Sequence, residues 1–222
     1  MTPAERNFLL STRWLSEFSE QTAEAILEAC HIKEFKNGDT VQKKGKKGDG
    51  IYVLLSGAVR FSAVSAAGTE VSFGYLRPGE WAGDISSIDG GGRTHDAYAV
   101  GPTRMAWLGV TSITQLSAKY DDFYRVLIKM LCCSIRDTID EFDKMLMFST
   151  EQILAWRIAY FFEMDQSNVS IPLRQDDLAA LVGVSRQTIN RILQRWSTEG
   201  LVETNYGNIR VLDLKRMQRI YE

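Results

Sequence analysis

Residues 185–197 read Ser-Arg-Gln-Thr-Ile-Asn-Arg-Ile-Leu-Gln-Arg-Trp-Ser. Ile189, Ile192, Leu193 and Trp196 recur at helical spacing and form one apolar stripe. The opposite face displays Ser185, Arg186, Gln187, Thr188, Asn190, Arg191, Gln194 and Arg195. Arginine pairs bidentately with guanine, glutamine or asparagine with adenine, and hydroxyls anchor phosphates. No acid interrupts the stretch, so it carries a charge of +3 from Ser185 to Trp196. A second helical pattern precedes it, with Leu178, Ala179 and Val182 on one face and Gln175 near its start. Gly183 separates the two, and small Ala179 suits a close helix crossing, so the pair reads as a helix-turn-helix. An ordinary helical hairpin is the plainer alternative, but it leaves the specific polar face without a purpose. Residues 200–212 read as a β-hairpin wing turning at Tyr206-Gly207-Asn208, followed by Lys215, Arg216 and Arg219.

The remaining chemistry-bearing residues are sparse. Gly-x-Ser-x-Gly, His-Glu-x-x-His and Gly-x-x-x-x-Gly-Lys are all missing, and there are only two histidines. The pairs Asp121-Asp122 and Asp176-Asp177 fall at helix starts, where carboxylates meet the helix dipole favourably. Catalysis is therefore not expected. Adjacent Cys132 and Cys133 point about 100° apart on a helix, so they read as packing residues, and no metal site is expected. A purely structural scaffold would leave the basic polar helix unexplained.

The 222 residues carry 26 Lys plus Arg and 28 Asp plus Glu, a net charge of −2. That sum hides a division. From Ile171 onward there are 8 basic and 6 acidic residues, and before it 18 and 22. An acidic total therefore does not exclude DNA as a partner. With 45% hydrophobic and 24% charged residues the chain suits globular folding. It has no apolar run long enough for a membrane span, no signal-like N-terminus and an odd cysteine count, which together point to the cytoplasm.

The elements that must position these residues follow from texture. Residues 4–30 suggest two short helices, the second capped by Ser19. From Ile32 to about Leu108, short strand-like runs recur: Thr40-Val41, Ile51–Leu55, Val59–Phe61, Val71–Tyr75, Ala97–Val100 and Met105–Leu108. Turns are expected at glycines between them, including Ser56-Gly57, Gly68 and Gly101-Pro102, as in an all-β roll. From Thr111 to Met147 Gly and Pro vanish. Tyr124, Ile128, Leu131, Ile135, Thr138, Phe142 and Met145 there fall at alternating spacings of four and three, a heptad seam for a parallel dimer. A single amphipathic helix packed on its own sheet is the alternative. Another helix (Ile153–Phe162), a polar loop (Asp165–Ser170) and the helix-turn-helix complete the chain. The fold expected is α+β: a jelly-roll-like β-roll over 1–110, a dimerisation helix over 111–148 and a winged helix-turn-helix over 149–222.

With these residues in view, the chain resembles the Crp/Fnr family of transcription regulators over essentially its full length. The resemblance is most specific at Val182-Gly-Val-Ser-Arg-Gln-Thr-Ile-Asn-Arg-Ile-Leu193. In the roll it runs through Gly38-Asp39, Gly48-Asp49, Tyr52–Gly57 and Pro78–Ile85. It implies a homodimer reading a palindromic double-stranded DNA operator, with Gln175, Ser185, Arg186, Gln187, Thr188, Asn190 and Arg191 at the DNA, and RNA polymerase as a further partner. Gln187 replaces the Glu of cyclic-AMP receptors, which implies a different or looser half-site preference. The resemblance also implies an effector cassette at Gly83, Asp84, Ile85, Ser86, Arg93 and Thr94, with Thr138 reaching the base from the dimer helix. A cyclic phosphate would need backbone N–H groups and a buried arginine there, and a carboxylate for the ribose. The cassette departs from the family's in three ways: Asp84 replaces a Glu, the segment before Arg93 is about one residue shorter, and His95-Asp96 follows Thr94. Cyclic AMP or another cyclic nucleotide, a different small effector, and no ligand at all stay open. Too few cysteines cluster near the N-terminus for an iron–sulfur centre, and His31 and His95 read as ordinary surface or turn residues rather than haem ligands.

Overall fold

The computed structural model describes residues 1–64, 70–165, 175–205 and 208–222. The Gly68 turn, most of the Asp165–Ser170 loop and the Tyr206-Gly207 tip of the wing lie outside them. Two compact units form: Met1–Ser62 with Gly74–Asp137, and Thr138–Glu222 with Ala63–Phe73.

In the first unit, helix α1 (Pro3–Leu10) opens with a capping box in which Thr2 and Glu5 satisfy each other's backbone N–H groups. Helix α2 (Glu20–Ala29) starts at Ser19, whose hydroxyl accepts from the Thr22 amide. Strands β1 (His31–Phe35), β2 (Thr40–Gln42), β3 (Gly50–Val64), β4 (Glu70–Leu76), β5 (Trp81–Ala82) and β6 (Asp96–Gly109) follow, with short helix α3 (Asp84–Ile88) before β6. The main sheet runs β1-β6-β3-β4, with β2 on β6 and β5 on β3.

The period of two in β3 divides the interior. Ile51, Val53 and Leu55 face the core built by the N-terminal helices, while Tyr52 and Leu54 face a second core with Met105 and Trp107. Two expected turns are corrected here. Ser56-Gly57 and Gly101-Pro102 lie inside continuous strands, not between strands, and the β3–β6 register shifts around Ser56. Gly57 has φ +85°, and a Cβ there would sit 2.6 Å from the Pro102 carbonyl oxygen. A bulge that bends both strands at a close crossing demands glycine as strictly as a turn does.

The Gly- and Pro-free stretch is also two helices rather than one: α4 (Val110–Lys119) and α5 (Asp122–Met147). Tyr120 takes an extended conformation between them. The Asp122 carboxylate, at the start of α5, accepts from the Ser19 amide at 2.8 Å and the Thr22 hydroxyl at 2.7 Å. That tie to α2 fixes where α5 begins, a contact over a hundred residues apart that local spacing does not register.

The second unit holds the end of α5, then α6 (Thr150–Asp165), α7 (Gln175–Val182), α8 (Arg186–Thr198), the hairpin β7 (Val202–Asn205) with β8 (Asn208–Val211), and α9 (Leu214–Gln218). Its interior gathers Leu154, Ile158 and Phe161 of α6, Leu178 of α7, Ile189, Leu193 and Trp196 of α8, and Met217 of α9, all essentially inaccessible. Among the described residues no helix is long and apolar enough to cross a membrane.

Candidate nucleic-acid interface and effector cassette

Gly183 takes a left-handed φ of +75°, which lets the chain reverse tightly after α7, and the Val184 amide donates back to the Ala179 carbonyl at 3.0 Å. Ser185 then caps α8, its hydroxyl accepting from the Thr188 amide at 3.2 Å. Ser185 and Thr188 are therefore partly occupied in starting the helix. Ile189, Ile192, Leu193 and Trp196 are buried, which turns Arg186, Gln187, Arg191, Gln194 and Arg195 outward. Gln175 donates to the Asn190 amide oxygen at 3.4 Å and bridges the two helices.

The three arginines of α8 are not equivalent. Arg195 is drawn to the Glu151 carboxylate, which also accepts from the Trp196 indole at 3.0 Å. Burial opposes ionisation of Glu151, yet the bonds from Arg195 and Trp196 hold its carboxyl below the usual range. Arg186 lies 3.3 Å from Asp176, with both side chains 65% exposed. Such a pair is screened and easily exchanged for a phosphate or a base. Among the described residues Arg191 has no ion pair, so its guanidinium is open to solvent. Glu151 was missed in the sequence because nothing local marks a carboxylate 45 residues away as the acceptor for a buried indole.

In the roll, Arg93 ties Gly83 and Ser86 of the expected cassette together. Arg93 is 3% exposed. It donates from Nη1 to the Gly83 carbonyl (3.0 Å) and the Ser86 hydroxyl (3.1 Å), and from Nη2 to the Gly50 carbonyl (2.8 Å) and Asp49 Oδ1 (2.7 Å). Gly83 has φ +89°, and a Cβ there would fall 2.7 Å from the Gly50 carbonyl oxygen and closer still to Arg93. Arg93 thus pins the Gly83–Ser86 turn to the start of β3, and its acidic partner is Asp49 rather than Asp84. Burial raises the Asp84 carboxyl above the usual range, against the pull of backbone amides and Arg93. Ile85 and Thr94 are exposed. Thr138 lies on the part of α5 that belongs to the second unit and is likewise exposed.

The α5 seam is partly as expected. Phe123, Val126 and Leu127 pack into the first unit's core, so the helix begins against its own sheet. Ile128, Ile135, Phe142 and Met145 then stand 50–59% exposed in a row. Leu131 is half-buried while Cys132 is exposed, and Ile139 is 53% exposed beside Thr138. The apolar face therefore drifts by one residue, through Cys132 and Ile139. Cys30, by contrast, is a packing residue whose thiol burial pushes up to about 12.

Comparison with known proteins matches both ends of the chain. Residues 32–120 match the cyclic nucleotide-binding domain, and residues 154–220 the Crp-like helix-turn-helix domain. The "Cyclic AMP receptor protein" of Thermus thermophilus is 26% identical over 186 residues, 84% of this chain and 86% of the relative. The "CRP-like cAMP-activated global transcriptional regulator" of Mycobacterium tuberculosis is 24% identical over 203 residues, 88% of this chain and 90% of the relative. Among solved structures, the c-di-GMP responsive regulator CLP of Xanthomonas campestris superposes with a TM-score of 0.70 at 18% identity, covering 88% of this chain and all of that one. The catabolite activator protein of Thermus thermophilus gives 0.53 at 25%, covering 96% and 97%.

Proposed function

Because the chain belongs to the Crp/Fnr family of transcription regulators, we propose that it acts in the cytoplasm as a homodimer and not as an enzyme. In this reading it binds a palindromic operator through Gln175, Ser185, Arg186, Gln187, Thr188, Asn190 and Arg191. The observation that carries the reading is the division of α8 into a fully buried apolar face and an exposed face bearing Arg186, Gln187 and Arg191. The exposed apolar row on α5 supplies the surface along which two copies pair. Pairing places two recognition helices about one DNA turn apart, each in a major groove. Residues 1–110, 111–148 and 149–222 are then sensor, dimer helix and reader, and RNA polymerase is the further partner at promoters. Selection from a randomised duplex pool with the purified protein tests this. Enrichment of a palindrome with half-sites about 10 base pairs apart supports it, and a pool without enrichment overturns it.

For the effector, the match to the cyclic nucleotide-binding domain and the names of the relatives support a cyclic nucleotide, cyclic AMP first, held by Gly83, Asp84, Ile85, Ser86, Arg93 and Thr94, with Thr138 at the base. A specific observation favours a second reading, in which the regulator works without a nucleotide: Arg93 already spends both terminal nitrogens on four protein acceptors. Calorimetry against cyclic AMP and cyclic GMP separates the two. Saturable heat supports the first, and silence with both supports the second.

A further inference from the structure

The exposed face of α5 has a regular spacing of its own. Ile128, Cys132, Ile135, Ile139, Phe142 and Leu146 are all exposed and fall at intervals of four, three, four, three and four. That is the alternation of a two-stranded coil, with Ile128, Ile135 and Phe142 at its d positions and Cys132, Ile139 and Leu146 at its a positions. Five of these side chains are plain hydrocarbons, and Cys132 alone among them carries a reactive group. Free cysteine is among the most buried residue types, so an exposed thiol set within an apolar stripe points to a surface that something covers.

Within its own chain Cys132 has two other cysteines to pair with, and neither suits. Cys133 is next in sequence, and adjacent Cα atoms lie about 3.8 Å apart, below the roughly 4.4–6.8 Å that a disulfide spans. On the helix Cys133 also turns about 100° away. It is half-buried, with its sulfur accepting from Arg13 Nη2 at 3.4 Å. Cys30 packs against the first unit's core, and burial pushes its thiol up to about 12. It therefore forms little thiolate, the species that reacts. A second copy of the chain offers what the first does not. In a parallel, in-register pair each a residue faces its own copy. Helix axes about 8–10 Å apart, less two Cα radii of about 2.3 Å and with the slight outward angle of an a position, leave facing Cα atoms roughly 4–6 Å apart. That range overlaps the span of a disulfide.

We propose that Cys132 and the partner subunit's Cys132 form a disulfide across the α5 seam when their surroundings turn oxidising. The inference rests on the homodimer reading above and adds a redox input to it. The oxidant is a low-molecular-weight disulfide of the glutathione class. The Cys132 thiolate attacks it, forming a mixed disulfide and releasing one small thiolate. The thiolate of the partner subunit's Cys132 then attacks the protein sulfur of that mixed disulfide and expels the second small thiolate. The two cysteine sulfurs lose two electrons in total, the small disulfide gains two, and the two cysteine protons end on the released thiols. Under a reducing poise the pair rests as thiols. Once formed, the bond keeps the two copies together on dilution, so operator binding persists at concentrations where the thiol form dissociates.

The test uses the full-length protein in glutathione buffers from reduced to oxidised, read by non-reducing gel electrophoresis. The oxidised parent is expected to run at twice the mass of the chain, with a yield unchanged on about tenfold dilution, because the bond forms within a dimer and not by collision. Cys132→Ser should lose about nine-tenths of that product or more, while Cys30→Ser and Cys133→Ser keep it. Register is read by moving the thiol within Cys132→Ser. Ile135→Cys, at the next seam position, should restore the cross-link, and Ser134→Cys, exposed but off the seam, should not. Sedimentation of the reduced parent keeps two failures apart. A reduced dimer that gives no Cys132-dependent product, or that cross-links as readily through Ser134→Cys, overturns the disulfide and leaves the homodimer reading standing. A reduced parent that stays monomeric and is never cross-linked overturns both. In mobility shifts on the selected operator the oxidised parent should bind at protein concentrations at least about tenfold lower than the reduced one. The gain should reverse with dithiothreitol and be missing in Cys132→Ser. A cross-linked dimer that binds the operator no better than the reduced protein overturns the redox input.

Discussion

Arg93 in the roll and Arg191 on α8 carry the same guanidinium into opposite surroundings. Arg93 is buried and bonded to four acceptors of its own chain, while Arg191 is exposed with no ion pair among the described residues. The first charge is consumed in holding two loops together; the second is left for whatever approaches. A ligand that wants Arg93 must compete with Asp49, two backbone carbonyls and Ser86, whereas DNA meeting Arg191 displaces little more than water. One region is therefore committed before any ligand arrives, and the other is poised.

The sharpest way to break that contrast is to remove both arginines separately and measure stability and DNA binding for each. Arg93→Ala leaves the Gly50 and Gly83 carbonyls and the Ser86 hydroxyl without their donor, and should cost about 3 kcal/mol, the low end for truncating one partner of a buried charged network because Asp49 keeps access to water. At roughly 2–4 °C per kcal/mol for a chain of this size, thermal melting should fall by about 6–12 °C. Near-parental melting of the variant would mean that Arg93 is not the pin described. Arg191→Ala should do the reverse. Melting stays within about 2 °C, because an exposed side chain with no ion pair among the described residues contributes little, while operator affinity falls by ~1–3 kcal/mol, about 5–150-fold. The same affinity loss is expected for Arg186→Ala, and an unchanged mobility shift in both variants would remove α8 from the interface.

How far the two regions were legible in the sequence differs in the same way. The reader was nearly complete, because the features that define α7 and α8 are local. They are the glycine at the reversal, the hydroxyl at the cap and the apolar stripe at helical spacing, all within about 20 residues. The roll was legible as strands but not in its joints. Gly57 and Gly101 punctuate the chain as turn residues do, and only the pairing of β3 with β6 reveals them as bulges. Arg93 was identifiable as the cassette arginine, and Gly83 and Ser86 lie within ten residues of it, but Asp49 and Gly50, some forty residues earlier, have no spacing that marks them. The break before α5 was hidden for the same reason, since its anchor on Ser19 and Thr22 lies about 100 residues away.

Within the reader, Arg195 tests whether every basic residue of α8 is equally available. Glu151 takes both Arg195 and the buried Trp196 indole, so Arg195 belongs to the fold more than to the DNA face. Glu151→Ala leaves the indole N–H unanswered and should cost about 1–2 kcal/mol of stability. Glu151→Gln keeps an acceptor for the indole and should cost well under half of that. Chemical denaturation of the two variants distinguishes them, and equal losses would show that charge rather than the hydrogen bond sets the contribution.

The smallest effect bears on the roll's side of the contrast. Burial raises the Asp84 carboxyl in the fold, so above the unfolded carboxylate value of about 4 the native state holds more proton than the unfolded chain. Stability contributed by this group therefore falls as pH rises through that window and is least impaired at acid pH. Asp84→Asn removes the ionisable group while keeping its shape. The variant should be at least as stable as the parent at pH 7, and the difference should shrink as the pH is lowered toward 4. Melting curves of both proteins across that range measure it directly. A parent more stable than Asp84→Asn at pH 7 would mean that the ionised carboxylate is being held by a cation. Arg93 is the cation whose field acts on Asp84, so the assignment of Arg93 to Asp49 would then have to be redrawn.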